Sequence, residues 1–166
     1  MVPAGMTGPG ASQPSMTLEL SRADIGFSAA HFSVLGGMAE RLHGHNYTVM
    51  LRARGAVGAD GTVVDFHRLK QVLREACAAL DERMLVPLHS DAVAVTVDGD
   101  SVHLREGSRH FVLPRDDVCL LPVSNTTCEC LAVHLLQRVR NGLGDLPVRL
   151  ELQVEELPGQ GALAVE

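Results

Sequence analysis

The segment "HGHNYTVMLRA", His43 to Ala53, constrains the chain more than any other. From Asn46 onward it alternates, with Tyr47, Val49, Leu51 and Ala53 on one side and Asn46, Thr48, Met50 and Arg52 on the other. That is the two-residue period of a strand with one buried face. Residues two apart on a strand share a face, so His43 and His45 project their imidazoles side by side, and Gly44 between them permits close packing. An earlier strand-like segment, "TLELSRADIGFSAAHF" from Thr17, ends beside another histidine, His31. Paired antiparallel, the two segments gather three imidazoles around one point with a fourth position open, the pattern of a catalytic zinc site. Spacing alone leaves a plainer alternative standing, in which His43 and His45 are solvated and His31 caps the core. His67, His89, His103, His110 and His134 read as ordinary histidines.

A chain of 166 residues with 46% hydrophobic content is long enough for one domain with a substantial core. Residues 1–15, rich in Gly, Pro and Ser, are expected to form a disordered leader, with Met6 and Met16 as alternative starts, and residues 16–166 a single domain. With 14 Lys+Arg against 20 Asp+Glu, a net charge of −6 and no Trp, the chain offers neither a basic track nor stacking platforms, so no nucleic-acid partner is expected. No apolar run reaches membrane-spanning length, and the first residues lack a basic and an apolar region of the kind that directs export. The expectation is a soluble, cytoplasmic protein with no membrane partner. Cys77, Cys119, Cys128 and Cys130 show no CxxC spacing and read as free thiols.

The rest of the chain supplies two helices. Asp65 can cap a helix carrying Phe66, Leu69, Val72, Leu73, Ala76 and Leu80 at helical spacing, after a turn and short strand in "GADGTVVDF". Thr126 and Glu129 stand at capping-box spacing before a second helix that stops at Gly142 or Gly144. Between them, "AVAVTVDGDSVHLREGSRHFVL" reads as a hairpin insertion, and "PVRLELQVEEL" as a last strand before a Pro158–Gly161 turn. The order of strands, helix, hairpin, helix and strand points to an α+β fold.

Read in order, "FSAAHF", "LHGHNYTV", "DGTVVDFHRLK", "ALDERMLVP", "NTTCECLA" and "LQVEELPG" resemble the 6-pyruvoyl-tetrahydropterin synthase family, which includes the 6-carboxytetrahydropterin synthases. The likeness runs from about Ile25 to Gly159. It implies a tunnelling fold: an antiparallel four-stranded sheet with two helices on one side, in a homohexamer of two stacked trimers. It implies zinc (Zn2+) on His31, His43 and His45, and a pterin substrate anchored by Glu156. A carboxylate suits that task, because a pterin presents an exocyclic amine and a ring N–H side by side. Thr127, Cys128 and Glu129 match the segment that completes the pterin pocket in the family, and they are equally compatible with a plain helix cap.

Two departures from the family pattern bear on the chemistry. Where most members place a catalytic cysteine shortly before HGH this chain has Ala39, followed by Glu40. "GGMAERLHGHNY" thereby resembles a glutamate-bearing subgroup, known from malaria parasites and some bacteria, whose product is 6-hydroxymethyl-7,8-dihydropterin. The resemblance implies that Glu40 serves as general base for retro-aldol cleavage of a dihydroneopterin side chain, the pterin ring acting as electron sink. From the residue alone, the plainer reading of Glu40 is a loop acid forming a surface charge pair with Arg41. In "LDERML" the relay aspartate is kept as Asp81, while Glu82 stands where the family has histidine. Both are candidate catalytic residues. The alternatives are 6-carboxytetrahydropterin or 6-pyruvoyl-tetrahydropterin synthesis, or a non-catalytic oligomer that binds zinc and pterin.

Overall fold

A computed structural model describes residues 14–166, so the expected leader lies outside the described residues except at its end, where Ser15 already opens the first strand. Strands β1 (Ser15–His31) and β4 (His43–Ala56) form a long antiparallel pair, with the small hairpin β2 (Val34–Leu35) and β3 (Met38–Ala39) between them. Helix α1 (Phe66–Ala78) follows, then β5 (Arg83–Pro87), the insertion strands β6 (Ala94–Asp98), β7 (Ser101–Glu106) and β8 (Arg109–Pro114), and β9 (Val118–Leu121). Helix α2 (Cys128–Leu143), β10 (Arg149–Leu157) and β11 (Gln160–Val165) complete the order.

The fold class is α+β, as expected. Its main sheet has six strands in the order β11-β10-β4-β1-β5-β9. Four of them, β11, β10, β4 and β1, form the expected antiparallel sheet, which β5 and β9 extend by parallel pairing. Burial explains why the sequence hid these two. Leu85 and Leu121 face the helix-side core, whereas Met84, Val86 and Val118 face a second apolar cluster under the insertion. A strand covered on both faces has no reason to alternate. The insertion is a three-stranded meander rather than a single hairpin, because both turn signals close a strand pair.

On the helix side, Tyr47, Val49, Leu51 and Ala53 of β4 are buried as the alternation required, against Leu69, Leu73, Leu131, Leu135 and their neighbours. Asp65 caps α1, its carboxylate accepting from the His67 N–H at 2.8 Å. Phe66, expected in the buried stripe, is exposed on the first helical turn. The stretch before it forms no strand: Asp60 instead accepts from the Thr62 N–H and hydroxyl in a side-chain-stabilised turn. The capping box expected at α2 is also absent. Thr126 donates its hydroxyl to the Phe32 carbonyl at 2.6 Å, and Thr127 takes the cap position without a side-chain bond. Among the described residues no helix is long and apolar enough to cross a membrane.

Candidate metal centre and pterin pocket

The β1–β4 register sets His31 directly opposite His43, and Ala29 opposite His45. One ring nitrogen from each of the three histidines lies within 4.8 Å of those of the others, and the ring centroids are 4.5 to 5.3 Å apart. Gly44 favours this close pairing, since a Cβ there would sit 3.1 Å from the Ala29 carbonyl oxygen, a tight contact. The three are graded in depth: His31 is 1% exposed, His45 half-buried and His43 exposed.

Backbone carbonyls orient two of the imidazoles. Nδ1 of His31 lies 3.0 Å from the Thr126 carbonyl, and Nδ1 of His43 lies 2.7 Å from that of Arg41. A carbonyl only accepts, so both rings carry their proton on Nδ1 and keep a lone pair on Nε2. Nε2 of His31 is buried with no hydrogen-bond partner. Burial, then the neighbouring His43, hold this imidazole below its ordinary pKa and keep it neutral. Three converging imidazoles, two oriented by outer hydrogen bonds and one with an orphaned buried nitrogen, fit a zinc ion.

Glu156, near the end of β10, faces this cluster. Its Oε2 lies 3.9 Å from Nε2 of His45 and 3.7 Å from Sγ of Cys128, while Oε1 accepts from Nε2 of Gln160 at 2.6 Å. Glu155 turns to the opposite face and accepts from the Thr48 hydroxyl, as strand alternation requires. Cys128, first residue of α2, is pushed up to about 12 by burial and by the Glu156 carboxylate. It stays a thiol that donates to Glu156 and is no substitute for a thiolate base. Thr127 is half-buried at the cap of the same helix, and Glu129 is exposed on its first turn.

Glu40 lies on the link between β3 and β4 with its side chain exposed, while its backbone N–H donates to the Ser33 carbonyl at 2.9 Å. Asp81 and Glu82 are not gathered with the imidazoles within one chain. Asp81 accepts from the Ser28 N–H at 2.7 Å, and the Glu82 N–H donates back to the Ser28 carbonyl, which ties the end of α1 to β1. Glu82, in a left-handed conformation at φ 55°, lines an open depression of about 610 Å³ with Ser28, Gly44, His45, Asn46 and Met84.

Two site residues escaped the sequence reading. Thr126 holds Phe32 through its hydroxyl and His31 through its carbonyl, and only the tertiary fold brings it there. Tyr47 reads as a core residue in the alternation, yet its ring lies 5.8 Å from that of His31 and 5.7 Å from that of His45, and its buried hydroxyl has no partner.

Comparison with known proteins places this arrangement. The family model described as 6-pyruvoyl tetrahydropterin synthase matches residues 19–165. A protein of Methanocaldococcus jannaschii, provisionally named 6-carboxy-5,6,7,8-tetrahydropterin synthase, is 29% identical over 89% of this chain and 94% of its own length. The crystal structure of 6-pyruvoyl tetrahydropterin synthase from Plasmodium vivax superposes with a TM-score of 0.88 at 28% identity, covering 93% of this chain and 99% of that one. Two further structures of the Plasmodium vivax protein carry alanine or cysteine in place of a glutamate identified as its catalytic residue. With the family pattern spanning nearly every described strand and helix, and the fold matched over the same length, this chain belongs to the 6-pyruvoyl tetrahydropterin synthase family.

Proposed function

We propose that this chain is a zinc-dependent pterin side-chain lyase that converts a 7,8-dihydroneopterin, free or phosphorylated, to 6-hydroxymethyl-7,8-dihydropterin, a precursor for folate-type cofactors. One observation carries the reading: next to the HGH motif stands a glutamate and no cysteine, and the thiol nearest the imidazoles, Cys128, is held protonated. The catalytic glutamate of the Plasmodium vivax relative supports it.

Bound zinc would supply a Lewis acid that lowers the proton affinity of a substrate hydroxyl. The chain's own residues do the rest. Glu156 accepts the paired N–H donors of the pterin and sets the ring beside the imidazoles. Glu40 takes the proton from the hydroxyl on the second side-chain carbon, and the bond to the first carbon breaks. Its electron pair passes into the pterin ring, the first carbon is reprotonated, and the remaining two carbons leave as a hydroxyaldehyde with any phosphate attached. Two open sheet edges, β9 and β11, support assembly into the homohexamer of the family's tunnelling fold. Asp81 and Glu82 are the relay candidates, Glu82 from the depression it lines together with His45.

The test is to incubate zinc-loaded protein with 7,8-dihydroneopterin and with its mono- and triphosphate, and to weigh the pterin products. 6-Hydroxymethyl-7,8-dihydropterin is expected. A 6-carboxytetrahydropterin product instead would establish the second reading, which the archaeal relatives' names favour. Intact substrates in the presence of bound zinc would establish a binding role. Tyr47→Phe adds a second expectation. It removes a hydroxyl that has no partner in the fold, so the melting temperature holds or rises.

A further inference from the structure

The polar contacts of the insertion with the Glu40 link are made to backbone. Glu106 and Arg109 are paired residues across the β7–β8 turn, which Gly107 makes tight at φ 55°. Nη1 of Arg109 donates to the Ala39 carbonyl at 2.8 Å, and Nη2 to the Glu40 carbonyl at 3.0 Å. Oε1 of Glu106 accepts from the Ala39 N–H at 3.3 Å, and its Oε2 lies 3.2 Å from Nη1 of Arg109. Three main-chain groups of two successive residues are thus held by one ion pair. The guanidinium is itself fixed from the side, with its central carbon 5.4 Å from the centre of the Phe111 ring.

The grip continues on both sides of the link. Asn125 pins Val34 through both its N–H and its carbonyl, at 2.9 and 2.8 Å, and Glu40 donates to Ser33. Val34 and Ala39 pack against the buried cluster that includes Val102 and Leu104 of the insertion. By contrast, the Glu40 side chain has no hydrogen-bond partner among the described residues and is exposed. Its position relative to the imidazoles therefore rests on the backbone that carries it. A planar guanidinium suits this task, because its fork reaches two successive carbonyls at once and an ammonium cannot.

We propose that Arg109, paired with Glu106, is a positioning residue that fixes the Glu40 carboxylate for proton abstraction, so that the insertion is part of the catalytic apparatus. The inference rests on Glu40 being the base. A displacement of about 1 Å in a reacting group is enough to cost about a hundredfold in rate.

The experiment compares Arg109→Ala, Arg109→Lys and Glu106→Gln with wild-type, zinc-loaded protein, on whichever of 7,8-dihydroneopterin and its phosphates is turned over. Each is also made in a Glu40→Gln background. Expected for Arg109→Ala is a fall of about a hundredfold in kcat with KM within threefold, unchanged zinc content, and faster hydrogen exchange confined to the Ala39–Glu40 segment. Arg109→Lys recovers part of the loss. In the Glu40→Gln background Arg109→Ala costs nothing further, because the group it positions has gone. Wild-type kcat in Arg109→Ala, with Glu40→Gln inactive, overturns the positioning role and leaves the base intact. A full additional loss in the Glu40→Gln background also overturns it, since Arg109 would then act independently. Wild-type turnover in Glu40→Gln removes the base and the positioning role with it. If Arg109→Ala fails to fold, Arg109→Lys and Glu106→Gln carry the same comparison.

Discussion

Replacing Glu40 by Gln is expected to lower kcat by about three orders of magnitude while zinc content and melting temperature stay at wild-type values. The amide keeps the size and polarity of the side chain but has no basic oxygen to take a proton. Nothing structural depends on the group it replaces, for the side chain is exposed and all the bonds that hold this link are made by backbone atoms. Loss of rate without loss of fold or metal therefore isolates the proton transfer. The competing view, an oligomer that binds zinc and pterin without turnover, requires Glu40→Gln to match wild type in every respect. The two are separated by one kinetic trace beside one metal analysis.

A cysteine elsewhere in the site is the natural objection to a carboxylate base. Cys128 is the thiol closest to the imidazoles, and the fold directs it at Glu156, where burial and the carboxylate's negative charge both oppose its ionisation. Cys77 is buried in the helix-side core and also pushed up to about 12, by burial and then by Asp81. Neither position therefore supplies a thiolate base.

Legibility in the sequence followed physical periodicity. The β4 alternation and the HGH spacing give the strand, its buried face and the imidazole pair directly, and His31 needed only an antiparallel neighbour. Strands β5 and β9 were hidden because "MLVP" and "VCLL" are buried on both faces and lose the period that marks a strand. Thr126 misled in a more instructive way. Its spacing to Glu129 is that of a capping box, but a buried Phe32 carbonyl needed a donor more than the helix end did, and the hydroxyl went there. The grip of Arg109 on Glu40 joins residues 69 apart in sequence through main-chain atoms, and no side-chain pattern encodes such a contact.

His31→Ala and His43→Ala are both expected to abolish zinc binding and turnover, and the difference between them tests how the centre is built. His43 is exposed and makes its one hydrogen bond to the nearby Arg41 carbonyl, so its removal leaves the metal-free protein as stable as wild type. His31 is buried and satisfies the carbonyl of Thr126, a residue distant in sequence. Deleting it strands that acceptor, at a cost of about 1–3 kcal/mol. On the proposed reading, zinc would bind the folded wild-type chain in preference to the unfolded one, so the melting temperature is expected to rise with added zinc and fall on chelation. At a free concentration a thousandfold above Kd the gain is about 4 kcal/mol. Neither variant should show this zinc-dependent shift, and His31→Ala alone should melt lower without metal. Normal zinc content in either variant would remove that histidine from the ligand set. Zinc content lost with turnover intact would separate the metal from the reaction altogether.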